Sequence, residues 1–171
     1  VGGLAVVAIG IGVWYWQERQ RLQRETEANL FYASQQAAVK AALQKKPEQE
    51  VKALTHYLEQ ASTASMRITS QLQVAEAQSR LKNWGEAEKQ LKKIILQNEV
   101  PDFSKNMARL NLSAVMEAQG KIDEARKYLL QRDNARWDDL RLRTLARISL
   151  NQNKHEEATG SLSKLSVLKD S

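Results

Sequence analysis

The feature that most constrains the fold is a pattern that occurs three times in the second half of the chain. Each occurrence is centred on an alanine, at Ala87, Ala125 or Ala158, so that successive units are offset by 38 and 33 residues. A glutamate directly precedes each alanine. A pattern with a period in the mid-thirties indicates a repeat protein, in which each unit is one supersecondary element packed on its neighbours.

Within each unit, residues at the same distance from the central alanine have side chains of similar size. A small residue lies twelve positions before the alanine, a ring or branched side chain lies three before it, and a leucine lies four after it. We predict repeat packing from Ala75, Trp84, Ala87, Leu91, Ser113, Ala125, Leu129, Ala146, Ala158 and Leu162. Between the two halves is a break rich in residues that tolerate positive φ, at Lys82-Asn83, Gly120-Lys121 and Asn153-Lys154.

This spacing predicts pairs of antiparallel helices. Small side chains allow the two helices to cross closely, and leucines one turn further on fill the adjacent space. One such pair cannot bury its apolar face, so the pairs must stack into a solenoid. The offsets resemble those of the tetratricopeptide repeat, although the large aromatic residue and the closing proline of that repeat are absent. The expected fold class is all-α.

Composition supports the same class. Only two prolines and seven glycines occur in 171 residues, and four of the glycines lie in the first twelve positions. The rest of the chain is therefore nearly free of helix breakers. The net charge of +6 comes from basic residues interspersed with acidic ones at helical spacing, which favours solvated helix faces over nucleic-acid binding.

No pattern indicates chemistry. The chain has no cysteine, which excludes disulfides and thiol catalysis. His56 and His155 have no partner at metal-ligand spacing, and neither a phosphate-binding loop nor a nucleophile elbow is present. The sequence predicts a protein that is not an enzyme and that uses no cofactor and no metal.

Residues 1–16 predict a membrane anchor, because they are uncharged and end in Trp14, Tyr15 and Trp16, an aromatic cluster typical of a membrane interface. At about 1.5 Å per residue they cover roughly 24 Å, less than the hydrocarbon core of about 30 Å. We therefore expect further residues upstream. A cleaved signal peptide would need small residues after the apolar run, and a buried core helix would not carry so many glycines.

The segment that follows leaves the topology open. Residues 17–27 predict a juxtamembrane helix that contains Arg19, Arg21 and Arg24, and a positive flank favours the cytoplasm. The same arginines fit the solvated start of a long helix. Beyond it we predict a tetratricopeptide-like domain over 28–171, with a divergent hairpin at 28–61 and repeats at 69–97, 105–131 and 138–168.

Partner-binding residues cannot be assigned from the sequence. Solenoids of this type commonly bind along the surface formed by the first helices of the pairs. The candidates expected to be exposed there are Gln71, Gln78, Arg109, Arg141 and Arg143, with none favoured. Trp137 is predicted to pack at the junction between hairpins, and a role as a partner anchor stays open.

The whole chain resembles the YfgM-type ancillary subunits of the bacterial SecYEG translocon. The resemblance rests on the aromatic end of the anchor and on the segments LKNWGEAEKQLKKII, MARLNLSAVMEAQGKIDEARKYL and RWDDLRLRTLARISLNQNKHEEATGSL. It implies an inner-membrane protein with a periplasmic helical domain whose partners are SecYEG, the chaperone PpiD and exported client proteins. The alternative is a scaffold subunit of another secretion or pilus assembly complex, facing the cytoplasm.

Overall fold

The computed structural model describes residues 2–131 and 137–169, and in these two ranges the chain is helical, with no strand. The prediction of an all-α fold is confirmed. The helices are α1 (Gly2–Leu43), α2 (Pro47–Gln60), α3 (Ala64–Arg80), α4 (Trp84–Leu96), α5 (Asp102–Ala118), α6 (Ile122–Leu130), α7 (Asp138–Asn151) and α8 (His155–Lys169). The first residue of the predicted anchor and the connector at 132–136 lie outside the described residues.

The chain divides into two compact units, Val1–Arg67 and Ile68–Ser171, and the division falls within α3. In the first unit α1 and α2 pack as a helical hairpin. Phe31 and Tyr57 meet edge to face with ring centroids 5.2 Å apart, and Ala38, Ala41 and Leu54 of the same two helices are buried. The sequence placed an anchor, a juxtamembrane segment and the first hairpin helix in succession, and in the structure one continuous helix of 42 residues covers all three.

The N-terminal part of α1 is the predicted anchor. Within the described residues, none of the helices combines the length and the apolar character needed to cross a membrane. Trp14, Tyr15 and Trp16 are 65%, 63% and 62% exposed. Their placement at a membrane interface stays a prediction.

The second unit is built from successive hairpins that share their apolar residues. Ala75, Ala87 and Leu91 belong to one buried cluster, which also includes Leu112 from α5 and Ala125 from α6. A second cluster joins Leu129 of α6 to Leu145 and Ile148 of α7. Helix α6 therefore contributes to both clusters, and the apolar core runs from one hairpin to the next.

The same turn ends the first helix of every hairpin. Lys45, Lys82, Gly120 and Asn153 have positive φ angles of 56°, 61°, 75° and 59°. In each case the next residue donates its backbone N–H to a carbonyl five positions earlier, as Asn83 does to Gln78 at 2.9 Å. This is the Schellman arrangement, which satisfies helix-end carbonyls. The positive φ angles lie at the predicted breaks, and Lys45 shows that the divergent first hairpin turns in the same way.

Most of the predicted packing residues are buried. Ala75, Ala87, Leu91, Ser113, Ala125, Leu129, Ala146 and Ala158 are each at most 3% exposed, and Trp84 is partly buried against the first cluster. Leu162 differs, since it is 47% exposed. Leu91 and Leu129 are covered by the first helix of the following hairpin, whereas α8 packs principally against α7 among the described helices. Burial at this position thus depends on a following hairpin.

Candidate interaction groove

A groove of about 360 Å³ lies between α3, α4 and α5. Ala75, Leu91 and Val115 form its apolar base and are nearly fully buried. Trp84, Asn111 and Ala114 line it further out, and the polar residues Glu76, Ser79 and Arg80 complete the lining. Ligand sites typically have this composition, a mostly apolar cleft with a few polar groups that fix orientation.

Small residues create this space. Ala75 lies on α3 at the predicted helix crossing, and Ala114 lies on the exposed side of α5. Because neither side chain extends beyond its Cβ, the groove between the two helices is not filled. The partly buried indole of Trp84 adds a large aromatic surface at the start of α4.

The polar groups around the groove differ in whether they already have a hydrogen-bond or ion-pair partner. Ser79 donates its hydroxyl to the Ala75 carbonyl at 2.8 Å, and Arg80 lies 3.6 Å from the exposed carboxylate of Glu76. The side-chain amide of Asn111 has no hydrogen-bond partner among the described residues. An amide both donates and accepts, so Asn111 can pair with the backbone of a bound peptide.

In the second unit, the described titratable groups with a shifted pKa lie in ion pairs, and these groups do not line the groove. A hydrogen bond from Lys92 at 2.5 Å lowers the pKa of Glu88, and one from Arg126 lowers the pKa of Glu157. Hydrogen bonds to Glu117, at 2.5 and 2.7 Å, raise the pKa of Arg147. Lys92 and Glu88 lie one turn apart on α4, whereas the other two pairs join α6 to α8 and α5 to α7. In the part of the chain that the structure describes, no three His, Asp or Glu side chains are placed to hold a metal.

The residues proposed from the sequence as an exposed binding surface are not all exposed. Gln71 and Arg109 are only 6% and 9% exposed, so that expectation was wrong for both, because they lie on the packed sides of α3 and α5. Gln78 accepts a hydrogen bond from Asn83 at 2.9 Å, and Arg143 is exposed but paired with Asp139 at 2.7 Å. None of these four residues lines the groove.

Sequence reasoning missed Asn111 and Ala114. Leu112 and Val115 occupy the buried side of α5, which places Asn111, Ala114 and Ala118 together on the other side. The available signal was an exposed helix side that carries alanines instead of charged residues. A helix side of that kind allows another backbone to approach closely.

Helical hairpins that share one turn geometry, and in the second unit have apolar clusters that run from one hairpin to the next, define an α-helical repeat protein, a class that acts by binding other proteins. Residues 1–159 match the tetratricopeptide repeat-like domain family, so the chain belongs to that family. No curated protein sequence matches the chain significantly. The tetratricopeptide prediction is confirmed, and the closer resemblance to YfgM-type subunits stays a prediction.

Proposed function

We propose that this protein is a non-enzymatic adaptor that binds a segment of another protein in the groove beside Trp84, while its N-terminal segment holds it at the bacterial inner membrane near the Sec translocon. The groove is the observation that carries the proposal. Membership of the tetratricopeptide repeat-like family supports a role in protein-protein interaction. The partners proposed from the resemblance are SecYEG, the chaperone PpiD and exported client proteins.

The groove favours a polypeptide as its occupant. Its base is apolar, and about 360 Å³ accommodates one or two aliphatic side chains. Asn111 supplies a donor and an acceptor for peptide backbone, and Glu76 and Arg80 carry opposite charges at the edge. Because these charges offset each other, the groove does not select strongly for a charged partner.

The membrane tether supplies the mechanism. An anchor confines the groove to the region where exported chains emerge, which raises the effective concentration of the partner without any new contact. The uncharged run 1–16 and the exposed Trp14, Tyr15 and Trp16 support this location. The YfgM-type resemblance supports a periplasmic orientation.

One observation favours the alternative scaffold function on the cytoplasmic side. Arg19, Arg21 and Arg24 follow the apolar run, and the positive-inside rule places such a flank in the cytoplasm. Arg21 lies 2.9 Å from Glu18, but acidic residues contribute little to this rule, so the pairing does not cancel the preference. Because the chain has no cysteine, Ser163→Cys introduces a single exposed thiol on α8. Labelling by an impermeant maleimide after only the outer membrane is opened supports the periplasmic adaptor. Labelling only after lysis supports the scaffold.

Site-specific photo-cross-linking tests the groove. We would place a benzoylphenylalanine at Ala114, which lines the groove, and a matched one at Ala118, which is also exposed on α5 but lies outside it. The proposal predicts cross-links to a SecYEG subunit or PpiD from position 114 and few from position 118. Equal cross-linking from both positions, or none from either, would refute a role for the groove.

A further inference from the structure

A cleft of about 650 Å³ lies in the unit Val1–Arg67, beside the residues that join α2 to α3. Helix α1 lines one side of it, and the other side is formed by Ser62, Thr63 and Met66. Helix α2 ends at Gln60, and beyond that point α1 continues toward its N terminus without α2 beside it. A cleft of this volume is large enough for the headgroup of a phospholipid.

The α1 side of the cleft carries hydrogen-bond donors that the described residues do not use. The side chains of Gln20, Gln23 and Arg24 line the cleft and have no hydrogen-bond or ion-pair partner among the described residues. A guanidinium group has five N–H donors in a planar fork, and each amide has two more. Such a set of donors suits a ligand with several acceptor oxygens, and a phosphate group is bound by arginine through two parallel hydrogen bonds.

The acidic residues near the cleft already have partners. Residues 17–28 contain three glutamates and three arginines. Arg21 pairs with two of the glutamates, Glu18 at 2.9 Å and Glu25 at 3.6 Å. The third, Glu27, is only 7% exposed and accepts hydrogen bonds from the residues that join α2 to α3. One arginine therefore balances two of the acids, and two arginines are left without a described partner.

Those two arginines lie in adjacent clefts. Arg24 lines the first cleft, and Arg19 lines a second cleft of about 380 Å³ that shares Gln23, Glu27 and Ser62 with the first. Both arginines are exposed, whereas the carboxylate between the clefts is buried. A ligand that approaches from solvent therefore meets positive charge, which favours an anion.

The position of the two arginines on α1 favours a lipid as the source of that anion. They follow Trp16 by three and eight residues, which is roughly 5 and 12 Å along the helix. The headgroup layer is about 5–8 Å thick on each side of the hydrocarbon core, and tryptophans settle at its level. Long side chains on a helix point back toward its N terminus, which brings both guanidinium groups closer to this layer.

We propose that the cleft at Arg24 binds the phosphate of an anionic phospholipid. Arg24 donates two hydrogen bonds to the phosphate, the amides of Gln20 and Gln23 donate further ones, and Arg19 attracts the headgroup from the neighbouring cleft. This inference rests on the membrane anchor of the proposed function, but not on the side of the membrane that the helical domain faces. A bound headgroup contacts α1 and the start of α3 together and so fixes the orientation of this unit on the membrane.

Retention of lipid by the complete chain tests the proposal. The chain is reconstituted into nanodiscs that contain equal amounts of phosphatidylglycerol and phosphatidylcholine, whose headgroups share the phosphate but differ in net charge. After transfer to a mild detergent, the lipids that remain bound are counted by mass spectrometry. We expect phosphatidylglycerol to be retained at least about tenfold more than phosphatidylcholine, because charge-assisted hydrogen bonds are the strong ones.

Three variants make the test specific to the cleft. Arg24→Gln removes the charge and the fork at an exposed position and should bring the retention ratio close to one. Arg24→Lys keeps the charge but loses the planar fork, so it should retain clearly less phosphatidylglycerol than the wild type. Arg21→Gln makes the same charge change three residues away, at a side chain that lines neither cleft, and should change the ratio by less than about twofold.

Three results would overturn the proposal: equal retention of the two lipids by the wild type, an equal loss in Arg21→Gln and Arg24→Gln, or displacement of the bound lipid by millimolar inorganic phosphate. The last would show a site for free phosphate instead of a membrane lipid. A chain that does not enter nanodiscs of either lipid refutes the anchor of the proposed function. A chain that enters them but shows no preference rejects the cleft alone.

Discussion

Replacing Glu27 by glutamine should loosen the junction between α1 and the residues that begin α3. The Glu27 side chain is only 7% exposed, and its carboxylate accepts four hydrogen bonds from two consecutive residues. Oε1 accepts the backbone N–H groups of Ser62 and Thr63 at 2.9 and 2.7 Å, and Oε2 accepts their hydroxyls at 2.8 and 2.5 Å. A carboxylate from a distant helix thus caps α3, where the free N–H groups and the helix dipole favour a negative charge.

The size of the effect follows from these four bonds. Glutamine retains one oxygen for the two N–H groups but presents an NH₂ group to the two hydroxyls, which can then only accept, so the two charge-assisted bonds that they donate to the carboxylate are lost. Hydrogen bonds to a charged group contribute about 1.5–3 kcal/mol each, although rotation of the hydroxyls to other acceptors recovers part of the loss. We therefore expect Glu27→Gln to reduce the local stability by about 2 kcal/mol, a factor of roughly 30 in the opening equilibrium.

The effect should depend on pH with a defined sign. Burial acts to raise the pKa of Glu27, but the hydrogen bonds from Thr63 and Ser62 outweigh it and lower the pKa below its ordinary value of 4.5. A lowered carboxyl pKa contributes stability that is present above the pKa of the unfolded chain and is lost as the pH falls through the folded value. The difference between the wild type and Glu27→Gln should be constant near neutral pH and should shrink below 4.5.

Hydrogen exchange measures this directly, because the Ser62 and Thr63 amides are themselves donors to Glu27. Both amides should exchange roughly 30-fold faster in the variant. Glu25→Gln is the control, since Glu25 is an exposed residue 3.6 Å from Arg21, and such pairs contribute about 0–1 kcal/mol. Unchanged exchange at Ser62 and Thr63 in Glu27→Gln would show that the carboxylate does not cap α3.

Two further predictions concern the repeats. Leu91→Ala should reduce the free energy of unfolding, measured by urea titration, by about 2–5 kcal/mol because the side chain is fully buried. Leu162→Ala, at the equivalent but 47% exposed position, should reduce it by less than about 1 kcal/mol. Equal losses would contradict the dependence of burial on a following hairpin. Lys82→Gly should raise the thermal midpoint, with a gain of about 0.5–1 kcal/mol, because Lys82 has a φ of 61° that glycine adopts without strain. Lys89→Gly, inside α4, should destabilise by about 1 kcal/mol instead, and stabilisation by both substitutions would argue against a backbone cause.

The sequence was sufficient to predict the parts of the fold that repeat. The spacing of Ala87, Ala125 and Ala158 pointed to residues that are buried, with the exception of Leu162, and the positive φ angles at Lys82, Gly120 and Asn153 lie in the predicted breaks. Both features depend on local chain geometry, which recurs with the period. A pattern of this kind is readable without any knowledge of the partners of each side chain.

Features that arise from single long-range contacts were not readable. Glu27 lies 35 residues from Ser62, and nothing in the local pattern marks it as a cap. Helix α3 begins at Ala64, directly after the two residues that donate hydrogen bonds to Glu27. The groove at Asn111 depends in the same way on which helices meet, so a helical period alone could not identify it.

The position of α6 in two clusters has a consequence for how the second unit opens. With nine residues, α6 is too short to be stable alone, since helices below about 12–15 residues are marginal in water. Ala125 ties it to the cluster with Leu112, and Leu129 ties it to the cluster with Leu145 and Ile148. Loss of either cluster removes one of the two supports that keep α6 helical. Helix α6 should therefore transmit unfolding from one end of the unit to the other, so that the hairpins open as one cooperative block.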